Sequence, residues 1–126
     1  MLEGGSDFDT GHEAVDAVLD SGATGILAFN DLVAMGLMSG LHERGVDVPG
    51  DISVTGFDDI PFARYTTPTL TTAAVPITEL GQQAWHQMRA LIRKEENDAP
   101  GSRYQPRLEI RSSSGPAKAP RTAAHG

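Results

Sequence analysis

The chain has 126 residues, a net charge of −7, no cysteine and 39% apolar residues. That length suits one domain and falls short of two. Without cysteine there is no disulfide framework and no thiolate metal site, which fits a reducing cytoplasm. The charge has the wrong sign for a domain that grips nucleic acid by its phosphates. No apolar run approaches the ~20 residues of a spanning helix. No basic-then-apolar leader opens the chain, so a soluble cytoplasmic protein with no membrane partner is expected.

Residues 1–9 read as a Gly- and Asp-rich loop. Thr10-Gly-His-Glu13 has the form of a capping box and predicts a helix through Ser21, closed by Gly22. Gly25 to Asp31 is a short apolar run that ends in the polar pair Asn30-Asp31, as a buried strand over 24–29 would. A helix follows from Leu32 to Arg44, stopped by Gly45. A second strand over 52–57 ends in Asp58-Asp59. A loop or short turn holds Phe62, Arg64 and Tyr65, and a third strand spans Leu70 to Val75. From Pro76, the spacing of Ile77, Leu80, Ala84, Met88 and Leu91 predicts a long amphipathic helix to about Lys94. Tyr104 to Arg111 reads as a last strand, and the Ser-, Pro- and Ala-rich remainder as a disordered tail.

This order predicts an α/β fold with a parallel sheet and right-handed crossovers. Only two strands are strong, and a doubly wound sheet usually has more, so the chain reads as part of a domain. In open α/β sheets ligands bind beyond the carboxyl ends of the strands. That places Asn30 and Asp58 at one sheet edge, side by side. An Asn amide both donates and accepts, which suits mixed hydroxyls; a carboxylate accepts from two vicinal hydroxyls at once. On position alone, both residues serve equally as caps or turn residues.

Ala28-Phe-Asn-Asp31, Val33-Ala-Met-Gly-Leu37, the run from Leu41 to Asp59, Pro68-Thr-Leu-Thr-Thr72, Glu79-Leu-Gly81 and Pro106-Arg-Leu-Glu-Ile-Arg-Ser-Ser113 together resemble the lac-repressor/galactose-repressor family of bacterial transcription regulators. The resemblance runs in unbroken order over roughly residues 4–115. It implies a periplasmic-binding-protein-like effector domain, here a three-layer parallel-sheet lobe that is incomplete. On that reading residues 1–113 are a partial effector-binding and dimerisation domain. The helix over about 76–94 belongs to the other lobe, 114–126 is a tail, and the DNA-binding headpiece is not among these residues.

The family's effector contacts fall on Asn30 and Asp58, leaving Asp59 to cap the turn that follows. The family often has a stacking aromatic at the position of Ser6 and a polar residue at that of Val75, so both are departures; Ser6 stays a candidate effector residue by place. Phe29 and Phe57 are expected in the core. The family's homodimer face maps to the helix from Leu32 to Arg44 and to Phe62–Thr67, giving Met35, Met38, Phe62 and Tyr65, although Gly36 and Gly40 also permit close packing within one chain. The stripe on the helix from Ile77 has no obvious surface to cover. It is expected to dock back on its own lobe or to be exchanged between two chains.

Adjacent carboxylates in an extended segment point to opposite sides, so Asp58 and Asp59 do not form a catalytic pair. His12, His42, His86 and His125 lack ligand spacing, and the glycine pairs lack the Lys-Ser/Thr of a phosphate loop. The expectation is therefore a non-enzymatic, cofactor- and metal-free fragment of a sugar-responsive repressor. It takes a sugar or nucleoside-like effector weakly, pairs as a dimer, and reaches DNA only through a missing N-terminal domain. The alternative is a fragment of an exported sugar-binding receptor.

Overall fold

The computed structural model describes residues 4–94 and 105–118. Two short helices, α1 (Phe8–Glu13) and α2 (Val15–Ser21), stand where one was expected. Asp7, not Thr10, is the cap: its carboxylate accepts from the Thr10 amide at 2.9 Å and the Thr10 hydroxyl at 2.8 Å. Thr10 is thus spent as a donor inside the first turn, which moves the helix start upstream. Gly22 closes α2 in the left-handed conformation, φ 71°, where glycine carries no Cβ penalty.

Strand β1 (Gly25–Leu27) leads into α3 (Asp31–Glu43), then β2 (Ser53–Asp58) and a 3-10 turn (Pro61–Arg64). Strand β3 (Thr71–Ala74), helix α4 (Ile77–Arg93) and strand β4 (Arg107–Glu109) complete the order. The sheet runs β1-β2-β3-β4. The first three strands are parallel, with Leu27 beside Thr55 and Thr55 beside Thr71. Strand β4 is antiparallel, Arg107 lying opposite Ala74, which corrects the all-parallel expectation. The chain leaves β3 at its carboxyl end through α4 and re-enters at that same end, so the returning strand runs the other way.

One face of this sheet is covered. Val54, Ile52 and Leu70 meet Ala34, Leu37, Met38 and Leu41 of α3, with Val15 and Val18 behind, in a single core. Helix α3 is apolar on several sides because it is sandwiched between the sheet and α1. A Cβ on Gly36 would stand 1.9 Å from the Phe8 carbonyl oxygen, and one on Gly11 would stand 1.9 Å from that of Val33. The close approach permitted by Gly36 is therefore made by a helix of the same chain. Met38 is buried in that core. Met38, expected on the dimer face, thus packs within its own lobe. Met35 packs partly against the same core.

Among the described residues nothing covers the opposite face. Leu27 (89% exposed), Phe29, Phe57, Leu108 and Ile110 lie open and, with Ala73, line a shallow apolar groove of about 510 Å³. Phe29 and Phe57 are therefore not core residues, contrary to expectation: their alternation along the strands turns them to the uncovered side. Among the described residues two of three layers are present, in keeping with an incomplete lobe. Helix α4 has no buried residue, and Ile77, Trp85, Met88, Leu91 and Ile92 are all exposed. It does not dock back on its own lobe.

The expected tail is shorter at its near end. Ser113 is fully buried, its hydroxyl accepting from the Thr71 amide and donating to the Val54 carbonyl. Ser114 bonds the Thr71 hydroxyl, and Lys118 pairs with Asp51. Residues 114–118 thus pack along the sheet through side chains that composition alone marks as loop-forming. Residues 119–126, and the expected connection over 95–102, lie outside the described residues.

Candidate functional site

The parallel register carries the ends of β1 and β2 to one edge of the sheet. There the sequence places four polar residues, and the structure gives each a different task. Asn30 caps α3: its Oδ1 accepts from the Val33 amide at 2.9 Å. Its Nδ2 donates to the Ser6 carbonyl at 2.8 Å, so Asn30 and Ser6 are brought together, with the Ser6 side chain exposed. One amide hydrogen and one lone pair of Asn30 are left for other partners.

Asp31, the second member of the first polar pair, is fully buried. Its two carboxylate oxygens accept from the Thr72 hydroxyl at 2.6 Å and the Ile60 amide at 2.8 Å. Placement in the first turn of α3 adds the favourable field of the helix N-terminus. Gly56 makes the room: a Cβ there would meet the Asp31 carboxylate oxygen at 2.2 Å.

Asp59 does not cap the following turn, which has no side-chain cap. It accepts from Arg111 at 2.7 Å in a pair where both side chains are largely buried, 11% and 15% exposed. A second Arg111 nitrogen donates to the Leu70 carbonyl at 2.9 Å. The fork geometry of a guanidinium suits this double duty.

Asp58 differs from its neighbours. Its half-buried carboxylate has no hydrogen-bond or ionic partner among the described residues. Burial, and secondarily the Asp31 carboxylate nearby, holds its pKa above the ordinary carboxylate value. The backbone is left-handed at both members of the pair, φ 120° at Asp58 and 59° at Asp59. For residues with a Cβ each such conformation costs roughly 1–3 kcal/mol and persists only where surrounding bonds enforce it. Asp58 faces a polar cavity of about 610 Å³, shared with Val75, Thr78, Glu79, Gln105 and Arg107. Asn30 and Ser6 are not part of that lining, so one cavity does not join all three effector candidates. Phe62 and Tyr65 are exposed, away from it.

A carboxylate with no partner among the described residues, sharing its cavity with donors such as Thr78, Gln105 and Arg107, is equipped to accept hydrogen bonds from a polyhydroxyl ligand. Among the described residues no group of three or more His, Asp or Glu side chains is set to hold a metal, and no helix is long and apolar enough to cross a membrane. The residues missed from sequence are Thr72, Arg111 and Gly56, together with the buried role of Asp31. The available signal was Asp31 itself, since a charge following a buried strand needs a partner to be stable there.

Residues 3–114 match the family model of the periplasmic binding protein-like domain. The chain is 36% identical over 114 residues to the HTH-type transcriptional repressor PurR of Vibrio campbellii, covering 89% of this chain and 34% of that protein. Among solved structures it superposes on a LacI family transcriptional regulator from Enterococcus faecium with bound ribose. The TM-score there is 0.82 at 39% identity, over 89% of this chain and 42% of the other. The regulator CcpA of Lactococcus lactis gives a TM-score of 0.85 at 30% identity, with 90% and 42% covered. The chain thus spans about a third of the length of the curated relatives it matches. The two-layered α/β unit and the polar strand ends fit that match: the chain belongs to the periplasmic binding protein-like domain family.

Proposed function

We propose that these residues are the C-terminal part of the effector-sensing and dimerisation domain of a sugar-responsive, cytoplasmic transcription repressor, without catalysis. The observation that carries this is the Asp58 carboxylate at the end of β2, without a partner among the described residues and facing a polar cavity. The ribose bound to the Enterococcus faecium relative supports a polyhydroxyl effector. DNA contact then belongs to other parts of the regulator, in keeping with the net charge of −7. The relatives reported are transcription regulators, which favours this reading over an exported receptor.

A two-lobed cleft draws contacts from both walls, and one wall alone forfeits much of the ligand burial. D-Ribose is therefore expected to bind the 126-residue chain with a Kd of about 1 mM or weaker. In a titration followed by 1H–15N NMR, the shifts should centre on Asp58 and Thr78, and Asp58→Asn should abolish them. Shifts centred on Asn30 and Ser6, indifferent to Asp58→Asn, would refute the assignment.

For the partner we propose a second copy of the chain. Phe62 and Tyr65 are open for such a contact and Met35 partly so. The stripe of α4 is an apolar helix surface of the kind that covers a bare sheet face, so exchange of α4 between two chains accounts for both exposed surfaces. A strictly monomeric species in light scattering at ~100 µM, a concentration at which micromolar pairing is saturated, would remove this reading.

A further inference from the structure

Three carboxylates crowd the end of β2, and among the described residues only that of Asp58 has no hydrogen-bond or ionic partner. The difference is built by a continuous chain of hydrogen bonds across four elements. The Asp31 carboxylate, at the start of α3, accepts from the Thr72 hydroxyl of β3 at 2.6 Å and from the Ile60 amide at 2.8 Å. The same Thr72 oxygen accepts from the Asp59 amide at 3.3 Å. Arg111, just beyond β4, then fixes Asp59 at 2.7 Å and the Leu70 carbonyl at 2.9 Å. Its own amide donates to the Thr71 hydroxyl at 2.9 Å. Between these anchors the chain is left-handed at Asp58 and Asp59, a backbone that two residues with side chains do not hold unaided.

We propose that Asp31, Thr72 and Arg111 are positioning residues: they force the left-handed Asp58–Asp59 turn and so present the Asp58 carboxylate, which has no partner among the described residues, to the effector cavity. Asp31 spends both carboxylate oxygens on the protein, and Asp59, which lines the same cavity, is held through one oxygen by Arg111. This rests on the Asp58 cavity being the effector site, and it adds a specificity device to that site. Because the anchors come from α3, β3 and the segment after β4, anything that shifts these elements relative to one another re-aims Asp58.

The test compares Thr72→Val, which removes the hydroxyl with little change in volume, with Thr72→Ser, which keeps it. Arg111→Lys is the second probe, retaining charge without the two-pronged geometry. Val54→Ala, in the core away from the clamp, controls for lost stability. Two readouts are taken on the full chain: the titration midpoint of the Asp58 side-chain carboxyl carbon by NMR, and the Kd for D-ribose. The charged groups around Asp58 are Asp31, Asp59, Glu79 and Arg107, and all are retained in the Thr72 variants. With the clamp loosened, Asp58 gains solvent, so its midpoint should fall toward the ordinary carboxylate value in Thr72→Val and Arg111→Lys. Ribose binding should weaken by about tenfold, the loss of one well-aimed charged contact. Thr72→Ser should restore both readouts, and Val54→Ala should leave both unchanged despite its lower stability.

Equal changes in Val54→Ala, or no recovery in Thr72→Ser, would overturn the proposal. If the Thr72→Val protein does not fold, Arg111→Lys against Val54→Ala decides by the same two measures. Should ribose fail to bind the unmodified chain, the effector reading loses its support while the Asp58 midpoint still judges the clamp.

Discussion

The two faces of the sheet contain similar residues and meet opposite fates. On one, Val54 and Leu70 are fully buried beneath α3; on the other, Leu27, Phe29 and Ile110 stand largely in solvent. Alternation along each strand sends apolar side chains to both faces, which marks a sheet meant to be covered twice. The difference lies in what packs on them. Helices α1 and α3 interlock through Gly11 and Gly36 closely enough for backbone to touch backbone. Helix α4, as apolar along its stripe, touches no comparable surface. Burial here depends on having a partner element, not on hydrophobicity.

That contrast is most severely challenged on the covered side. Gly36→Val is expected to cost about 3 kcal/mol or more, since its new Cβ would collide with the Phe8 carbonyl rather than with a movable side chain. Leu41→Ala, at a fully buried site, should cost about 3 kcal/mol. Urea denaturation followed by circular dichroism measures both. A loss under 1 kcal/mol in each, below the usual range for core truncation, would mean that the α1–α3 contact is not the stabilising one.

Asp7→Ala should destabilise the chain by removing the α1 cap, and the loss should depend on pH. The hydrogen bonds from Thr10 hold the Asp7 pKa below its ordinary value. The stabilisation is therefore present at neutral pH and disappears as the pH falls through the depressed range. Denaturation midpoints of the two proteins should converge in acid.

Asp58 has the opposite sign. Its pKa is raised in the folded protein, so the native state holds a proton that the unfolded state has released. Its contribution to stability therefore falls as the pH rises through the window from the ordinary to the raised value. Asp58→Asn should stabilise the chain at neutral pH by about 0.5 kcal/mol, the scale of partly exposed charge interactions, and lose that advantage in acid. A variant less stable than the parent at pH 7 would show that the Asp58 carboxylate has a stabilising partner.

The smallest effect belongs to the uncovered side. Leu91→Ser on α4 should change the stability of the lobe by less than about 0.5 kcal/mol, because Leu91 is 71% exposed. Its effect should instead appear in self-association, read by light scattering. A loss of 2 kcal/mol, typical of core truncation, would place α4 within the lobe's own core after all.

Much of this was legible in residue order. The strand–helix–strand unit from Gly25 to Asp58 is written in two apolar runs with a periodic helix between them, and its boundaries fall within a residue or two of expectation. Gly22 and Gly45 end their helices as glycine does, both at φ 71°. The first helix was misplaced because Asp7 and Thr10 are both competent caps and only geometry chooses between them. At the site, Asp58 was singled out by its place at a strand end. The roles of Asp31 and Asp59 were interchangeable on paper: neighbouring acidic residues look alike until Thr72, Ile60 and Arg111, 29 to 52 positions away, are brought to them.

Local patterns by themselves determined the element types, the α/β class, the polar edge at the ends of β1 and β2, and the family resemblance. These depend on periodicity and short motifs, which are properties of neighbours in sequence. Only the tertiary structure decided that Met38 is core, that Phe29 and Phe57 are not, that β4 runs antiparallel, and that Asp31 and Asp59 find partners where Asp58 finds none among the described residues. Each of those outcomes depends on which distant group occupies the space or the lone pair first, and that competition is resolved only once the elements are packed.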